Sequence, residues 1–301
     1  MRRIIVIPGR GSKPAYACKL RYVREVLTES VRRADPTAGR WLARHPRTIQ
    51  LAYYADLFRR LTGERPDPCE SFRGPIDRLY ADSRACPTWL AFRGALQDLG
   101  MDAAMILARW LKPATRRRLI GRQFLDVGRY FRHHAFASRV RARLSEKLVP
   151  ALRRRESVLL LAHSLGSVVA YDVLWKLSHM SEYAALRRRR VAHLVTMGSP
   201  LGDGTVRTLL LGWRYPAAQR YPANILRWTN LSARGDLICH DARLANDFRP
   251  MLERGVVGRF EDVVNVCTVY RGRQGRWNPH KLYGYLLLPE VGRLLAAHLR
   301  A

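Results

Sequence analysis

The sequence predicts an α/β fold with a mostly parallel, doubly wound sheet, and three observations carry that prediction. Val158-Leu159-Leu160-Leu161-Ala162 and Ile4-Ile5-Val6-Ile7 are runs without polar alternation, the pattern of strands covered on both faces, as parallel strands are. Each run ends in a break of small residues, His163-Ser164-Leu165-Gly166 in one case and Pro8-Gly9-Arg10-Gly11-Ser12 in the other, with a helical stretch beyond. Strand, tight turn and helix make the repeating unit of open α/β sheets. Finally, 301 residues with 48% hydrophobic content suffice for one large layered domain with a substantial core.

Taken in order, residues 4–7 form the first strand, residues 16–34 are helical by period, and Asp35-Pro36 ends that helix. Residues 48–54 read as the next strand. Over 55–134 the chain changes character, because prolines at 66, 68, 75, 87 and 113 divide it into short helical pieces. The most coherent piece, 89–111, is largely apolar with Arg93, Asp98, Asp102 and Arg109 mainly to one side, as on an amphipathic helix. Residues 55–134 therefore read as a helical cap inserted in a single domain spanning 1–301, and the same helix would serve equally if packed on the sheet. A basic helix over 136–152 leads to the apolar run at 158, and a further helix covers 165–180. Strands follow at 191–197, 224–231 and 263–270, and a helix over 282–299 closes the chain.

The formal net charge is +30, from 54 Lys and Arg against 24 Asp and Glu. Such an excess suits an anionic partner: nucleic acid, an anionic lipid surface or an acidic carrier protein. Arginine supplies nearly all of it, which the codon bias of a GC-rich genome would also produce. The arginine clusters at 116–118, 153–155 and 187–190 are spread along the chain. With no nucleic-acid module and no single basic stripe interleaved with aromatics, nucleic acid is the least favoured partner. The cysteines, Cys18, Cys69, Cys86, Cys239 and Cys267, are odd in number, scattered and without C-x-x-C spacing. The sequence thus predicts neither a disulfide framework nor a zinc site, and a cytoplasmic, reducing location fits that usage. The opening Met1-Arg2-Arg3 and its four apolar followers are too short for a signal core, and no segment approaches the ~20 apolar residues of a membrane span.

The chemistry centres on Ser164, at the C-terminal end of its strand, where open α/β sheets place their sites. A serine on a strained strand-to-helix turn needs small neighbours two positions away on each side, so that helix and strand can cross closely; Ala162 and Gly166 meet that need. The N–H of Leu165 then lies at a helix N-terminus and points at a developing oxyanion. With Ala162 in place of the first glycine of G-x-S-x-G, this stretch resembles the nucleophile elbow of the α/β-hydrolase superfamily. The strand end Gly198-Ser199-Pro200-Leu201 is similar to the corresponding turn of its lipase-like, serine-esterase branch.

The resemblance implies a catalytic triad in the chain order Ser164, Asp236, His280. It puts the acid in the loop after the strand at 224–231, where Asp236 matches and Asp241 is the fallback. It puts the histidine after the last strand, where His280 stands with Tyr283 three residues on. It makes the Gly9–Gly11 turn an oxyanion loop, with the N–H of Arg10 as partner to that of Leu165. It further implies about six strands, without the two leading antiparallel strands of larger relatives. Residues 55–134 stay unmatched, because the family's commonest cap follows the strand after the nucleophile. The implied function is hydrolysis of a carboxylic ester, a lipid-like or carrier-bound acyl ester or thioester, through an acyl-enzyme at Ser164, with no cofactor and no metal. The competing class is a catalytically idle protein of this fold whose basic surface binds an anionic partner such as nucleic acid or an acidic protein.

Two other readings fail on the residues themselves. A phosphate cradle at Gly9-Arg10-Gly11 lacks the third glycine, Pro14 standing there, and no Walker lysine follows. Cys239, His240 and Asp241 are adjacent in sequence, and adjacent residues rarely converge on one ion. His193 is expected to be a strand residue and not a ligand.

Overall fold

The computed structural model describes residues 1–9, 14–63, 65–69, 125–239, 241–268, 270 and 277–301. The predicted cap helix at 89–111, Arg10, Gly11 and His240 lie outside the described residues. Six strands form one sheet: β1 (Arg2–Ile7), β2 (Ile49–Leu51), β3 (Ser157–His163), β4 (His193–Met197), β5 (Ile225–Ala233) and β6 (Val257–Val266). Their order is β2-β1-β3-β4-β5-β6, and every neighbouring pair is parallel. From β1 the chain steps outward to β2, then returns across β1 to β3 and proceeds the other way. The direction of winding therefore reverses between β1 and β3, and the crevice of such a sheet opens there, beyond the strands' carboxyl ends.

The helices that pack on the sheet include α1 (Tyr16–Ala34), α2 (Pro36–Arg44), α3 (Ala55–Thr62), α4 (Leu125–Arg132), α5 (His134–Arg153), α6 (Leu165–His179), α7 (Leu282–Leu286) and α8 (Pro289–Arg300). Alternate strand residues feed two cores. Ile4, Val6, Leu159, Leu161, Val195 and Met197 pack with α1, α2, α7 and α8; Ile5, Ile7, Leu160, Ala162 and Leu194 pack with α3, α4, α5 and α6. Helices thus cover both faces, which is why the strands lack polar alternation. Ile4 through Ile7 are each fully buried, and at roughly 1.5–3 kcal/mol per side chain they hold β1 inside the sheet, between β2 and β3.

Several boundaries differ from the sequence expectation for identifiable reasons. Asp35-Pro36 ends α1 but also begins α2: Asp35 Oδ1 accepts from the N–H groups of Thr37 and Ala38, both at 2.9 Å, with Pro36 at the first helical position. The last strand runs Val257–Val266 and not 263–270. As an edge strand it buries only Val257, Phe260 and Val266, and that burial begins early, with Phe260 stacked on Trp228 at 4.3 Å. The closing helix is two helices, because Pro289 cannot continue α7 and instead starts α8.

The cysteines also depart from expectation. Cys18 on α1 and Cys69, 51 positions apart in sequence, are joined by a disulfide, with Cα atoms 5.9 Å apart. Cys267 is disulfide-bonded as well, while Cys239 is free and buried. The proximity of Cys18 and Cys69 is tertiary, made where the chain folds back past α3, so spacing alone did not reveal it. Cysteine usage consequently no longer argues for a reducing compartment. Among the described residues no helix is long and apolar enough to cross a membrane.

Candidate active site

Ser164 follows β3 directly and precedes the first residue of α6. Its backbone sits at φ 55°, ψ −129°, a conformation that costs a non-glycine residue on the order of 1–3 kcal/mol and persists only where its surroundings enforce it. They do so here. Ser164 N–H donates to the Met197 carbonyl at 3.0 Å, and the Ser164 carbonyl accepts from Ser167 Oγ at 2.6 Å and from Ser167 N–H at 2.9 Å. Ser167 Oγ is in turn 2.8 Å from Ser199 Oγ. A serine before a helix ordinarily caps it with its hydroxyl. The Ser164 side chain makes no such bond and instead lies 2.9 Å from His280 Nε2.

His280 stands just ahead of α7. Its Nδ1 lies 2.8 Å and 2.9 Å from the two carboxylate oxygens of Asp236, in the turn after β5. Asp236 is itself buried and fixed: Oδ2 accepts from the Tyr285 hydroxyl at 2.6 Å and Oδ1 from the Ile238 N–H at 3.0 Å. The Tyr285 hydroxyl also accepts from the Ala233 N–H at 2.9 Å, so the phenol is locked to β5. Burial alone raises the Asp236 carboxyl pKa. The positive charge His280 can carry, its hydrogen bond, and the donors from Tyr285 and Ile238 outweigh that and hold it below the ordinary carboxylate value. A carboxylate kept ionised beside Nδ1 fixes that nitrogen as the donor, leaving Nε2 to accept from the serine hydroxyl.

Three glycines make the site passable. A Cβ on Gly9 would stand 2.5 Å from Ser164 Cβ and 3.1 Å from its Oγ, so the turn after β1 lies directly over the serine. A Cβ on Gly166 would meet the Ile7 carbonyl oxygen at 2.6 Å, so α6 crosses β1 too closely there for any side chain. Gly198, at φ +53°, would bring a Cβ to 2.7 Å from Asp236 Oδ2 and 3.1 Å from His280 Nδ1. The Leu165 N–H opens α6 and, like all first-turn amides, has no partner within its helix. It is therefore available to an anion at Ser164.

The structure thus joins Ser164, His280 and Asp236 in one hydrogen-bonded row and sets Leu165 beside it. Arg10 lies outside the described residues, but its neighbour Gly9 touches the serine. Asp241 is not in the row: its Oδ1 accepts from the Arg243 N–H at 3.3 Å, and its backbone and side chain pack against Gly202. His193 is buried in β4 with Nε2 2.8 Å from Thr229 Oγ1. Among the described residues no group of three or more His, Cys, Asp or Glu could hold a metal ion. Sequence reasoning missed Tyr285 and the role of Gly198. The first carried no signal, being one more apolar-face residue of a helix; the second stood in the quoted turn, where a glycine before a serine could have suggested a positive φ. No protein-family model, curated protein or solved structure matches the chain.

Proposed function

We propose that this protein is a serine hydrolase of the α/β-hydrolase kind, cleaving a carboxylic ester through an acyl-enzyme at Ser164. The observation that carries the proposal is the unbroken row from Ser164 Oγ through His280 to Asp236, with the serine in a strained turn that turns its hydroxyl away from capping α6. In this reading Ser164 Oγ attacks the acyl carbonyl while His280 Nε2 takes the hydroxyl proton. The imidazolium gives that proton to the departing alkoxide or thiolate, and water, activated by the same nitrogen, then releases the acid. Asp236 holds the imidazole in the required tautomer. The Leu165 N–H and an N–H from the Gly9–Arg10 turn stabilise the oxyanion, each donor lowering the barrier by roughly 3 kcal/mol. The direct test is a fluorophosphonate. A covalent adduct should form on Ser164 and be abolished, together with p-nitrophenyl ester hydrolysis, by Ser164→Ala; an adduct on Ser167 or Ser199 instead would refute the assignment.

The net charge of +30 favours an anionic acyl substrate, lipid-like or bound to an acidic carrier, drawn in by a broad positive field. Screening over ~8 Å at physiological salt means the field acts on encounter and hardly on chemistry. Added salt should therefore raise KM for an anionic ester, leave kcat nearly unchanged, and affect neither constant for a neutral short ester; equal behaviour of the two esters would remove the argument for an anionic substrate. On this reading a cytoplasmic location is disfavoured by the Cys18–Cys69 disulfide, which oxidising compartments preserve.

A further inference from the structure

We propose that His163 is a positioning residue that holds His280 from its main-chain side, an inference that rests on the triad reading above. His163 is the last residue of β3 and is buried. Its Nε2 lies 2.8 Å from the backbone oxygen of His280, 117 positions away in sequence. Its ring lies beside the His280 ring, with centroids 4.8 Å apart and planes inclined by 37°, and the Tyr285 ring is 5.7 Å from it.

A carbonyl oxygen only accepts, so His163 Nε2 carries the proton and donates. His280 needs the opposite arrangement, with the proton on Nδ1 toward Asp236 and Nε2 open to the serine hydroxyl. Two neighbouring imidazoles thus hold opposite tautomers, each set by the group it faces. The dipeptide His163-Ser164 grips His280 twice, once at the main chain and once at the ring. The grip matters because the two partners differ in support. His163 belongs to a strand paired on both sides, whereas His280 lies between the last strand and α7 with its side chain 29% exposed. A base held on a connecting segment keeps its alignment only if something rigid fixes its pivot, and misplacement of about 1 Å costs on the order of 10²-fold in rate. His163 carries the rigidity of the central sheet to that pivot. Its position is confined from above as well, since a Cβ on Gly9 would stand 2.8 Å from His163 Nδ1. A histidine that merely filled the core would owe nothing to the catalytic constants.

The test compares His163→Gln, whose amide nitrogen reaches about where Nε2 lies, with His163→Asn, whose amide stops short of it. Turnover of a neutral p-nitrophenyl ester is followed from pH 5 to 9. His163→Asn should lose about 10- to 100-fold in kcat with KM within about twofold, and the midpoint of its pH–rate profile should move; His163→Gln should stay within about threefold of wild type. On the wild-type protein, ¹⁵N NMR of the imidazoles should show His163 as the Nε2–H tautomer while His280 is Nδ1–H. The proposal is overturned if His163→Asn is as active as wild type, if both variants lose equally, or if His163 Nε2 is unprotonated. The tautomer measurement decides alone should neither variant fold. Wild-type protein that takes no fluorophosphonate on Ser164 would instead overturn the triad reading itself, a result separable from all of these.

Discussion

Two buried carboxylates in this protein have nearly the same immediate surroundings and opposite electrostatics. Asp236, in the turn after β5, and Asp172, on α6, are both almost inaccessible. Each accepts from a tyrosine hydroxyl at 2.6 Å, Tyr285 in one case and Tyr130 in the other. Each also accepts from a backbone N–H, that of Ile238 at 3.0 Å or Leu211 at 2.9 Å. Yet Asp236 is held below the ordinary carboxylate pKa, while burial, only partly offset by Tyr130, Leu211 and Arg141, pushes Asp172 up to about 6. The difference lies in the third partner. The His280 imidazole bonds both oxygens of Asp236 directly, whereas the Arg141 guanidinium stays 3.8 Å from Asp172 and gives its shorter bond, 3.1 Å, to the Tyr130 hydroxyl. Burial and a phenol do not by themselves decide whether a carboxylate stays ionised; a bonded group able to carry positive charge does. Asp172 ties α4, α5 and α6 together, and Asp236 ties His280, itself 2.9 Å from Ser164 Oγ, to the turn after β5.

The comparison breaks most visibly in catalysis. Asp236→Asn should lower kcat by about 10⁴-fold, the scale of a lost triad acid, while Asp172→Asn and Asp241→Asn keep it within about threefold. Steady-state kinetics on one neutral ester decide this, and comparable losses in Asp236→Asn and Asp172→Asn would erase the distinction drawn here.

Stability against pH sharpens the contrast next. A carboxyl whose folded pKa is raised favours folding at low pH: the contribution of Asp172 is fully present below about pH 3.8 and is lost as pH rises through about 6. From those two values the loss is about 3 kcal/mol. Urea unfolding should therefore show Asp172→Asn gaining about that much relative to wild type between pH 4 and pH 7. Asp236 has the reverse sign, since its contribution is present above pH 3.8 and lost as pH falls through its lowered folded value. A pH-independent effect of Asp172→Asn would mean that the carboxyl is not raised.

The smallest effect separates the two phenols. Tyr285→Phe and Tyr130→Phe each remove a hydrogen bond to a buried carboxylate, and each should cost about 1.5–3 kcal/mol in thermal unfolding. Only Tyr285→Phe should also lower kcat, by about tenfold, because only its carboxylate is bonded to His280, the base of the proposed reaction. Equal kcat for the two variants would show that the Asp236 environment tolerates the loss of its phenol.

The fold and the row of three were legible because both are written locally. Unbroken apolar runs marked the central strands, and the small residues flanking Ser164 marked the crossing of β3 and α6. Asp236 and His280 came from the resemblance to the α/β-hydrolase order, which matched an acid and a histidine to the loops after the later strands. What stayed hidden depends on contacts between distant segments. Tyr285 serves Asp236 across 49 positions and His163 serves His280 across 117, and neither leaves a mark on its own neighbourhood in sequence. The edge strand β6 was placed less well than β1, β3 and β4, because only Val257, Phe260 and Val266 along it are buried and its apolar pattern fades.

The Cys18–Cys69 bond closes a covalent ring that contains α2, β2 and α3 but leaves out β1, the strand on which β2 hangs. An edge strand of three residues, paired on one side only, is ordinarily the first part of a sheet to fray. Here fraying cannot carry β2 far, since both flanks of its segment return to α1, and closing a ring of this length is worth on the order of 4 kcal/mol against the open chain. A protease that nicked the ring once would release no fragment. The edge of the sheet next to the Gly9 turn is in this sense leashed, and loosening it fully takes a reductant as well as thermal motion.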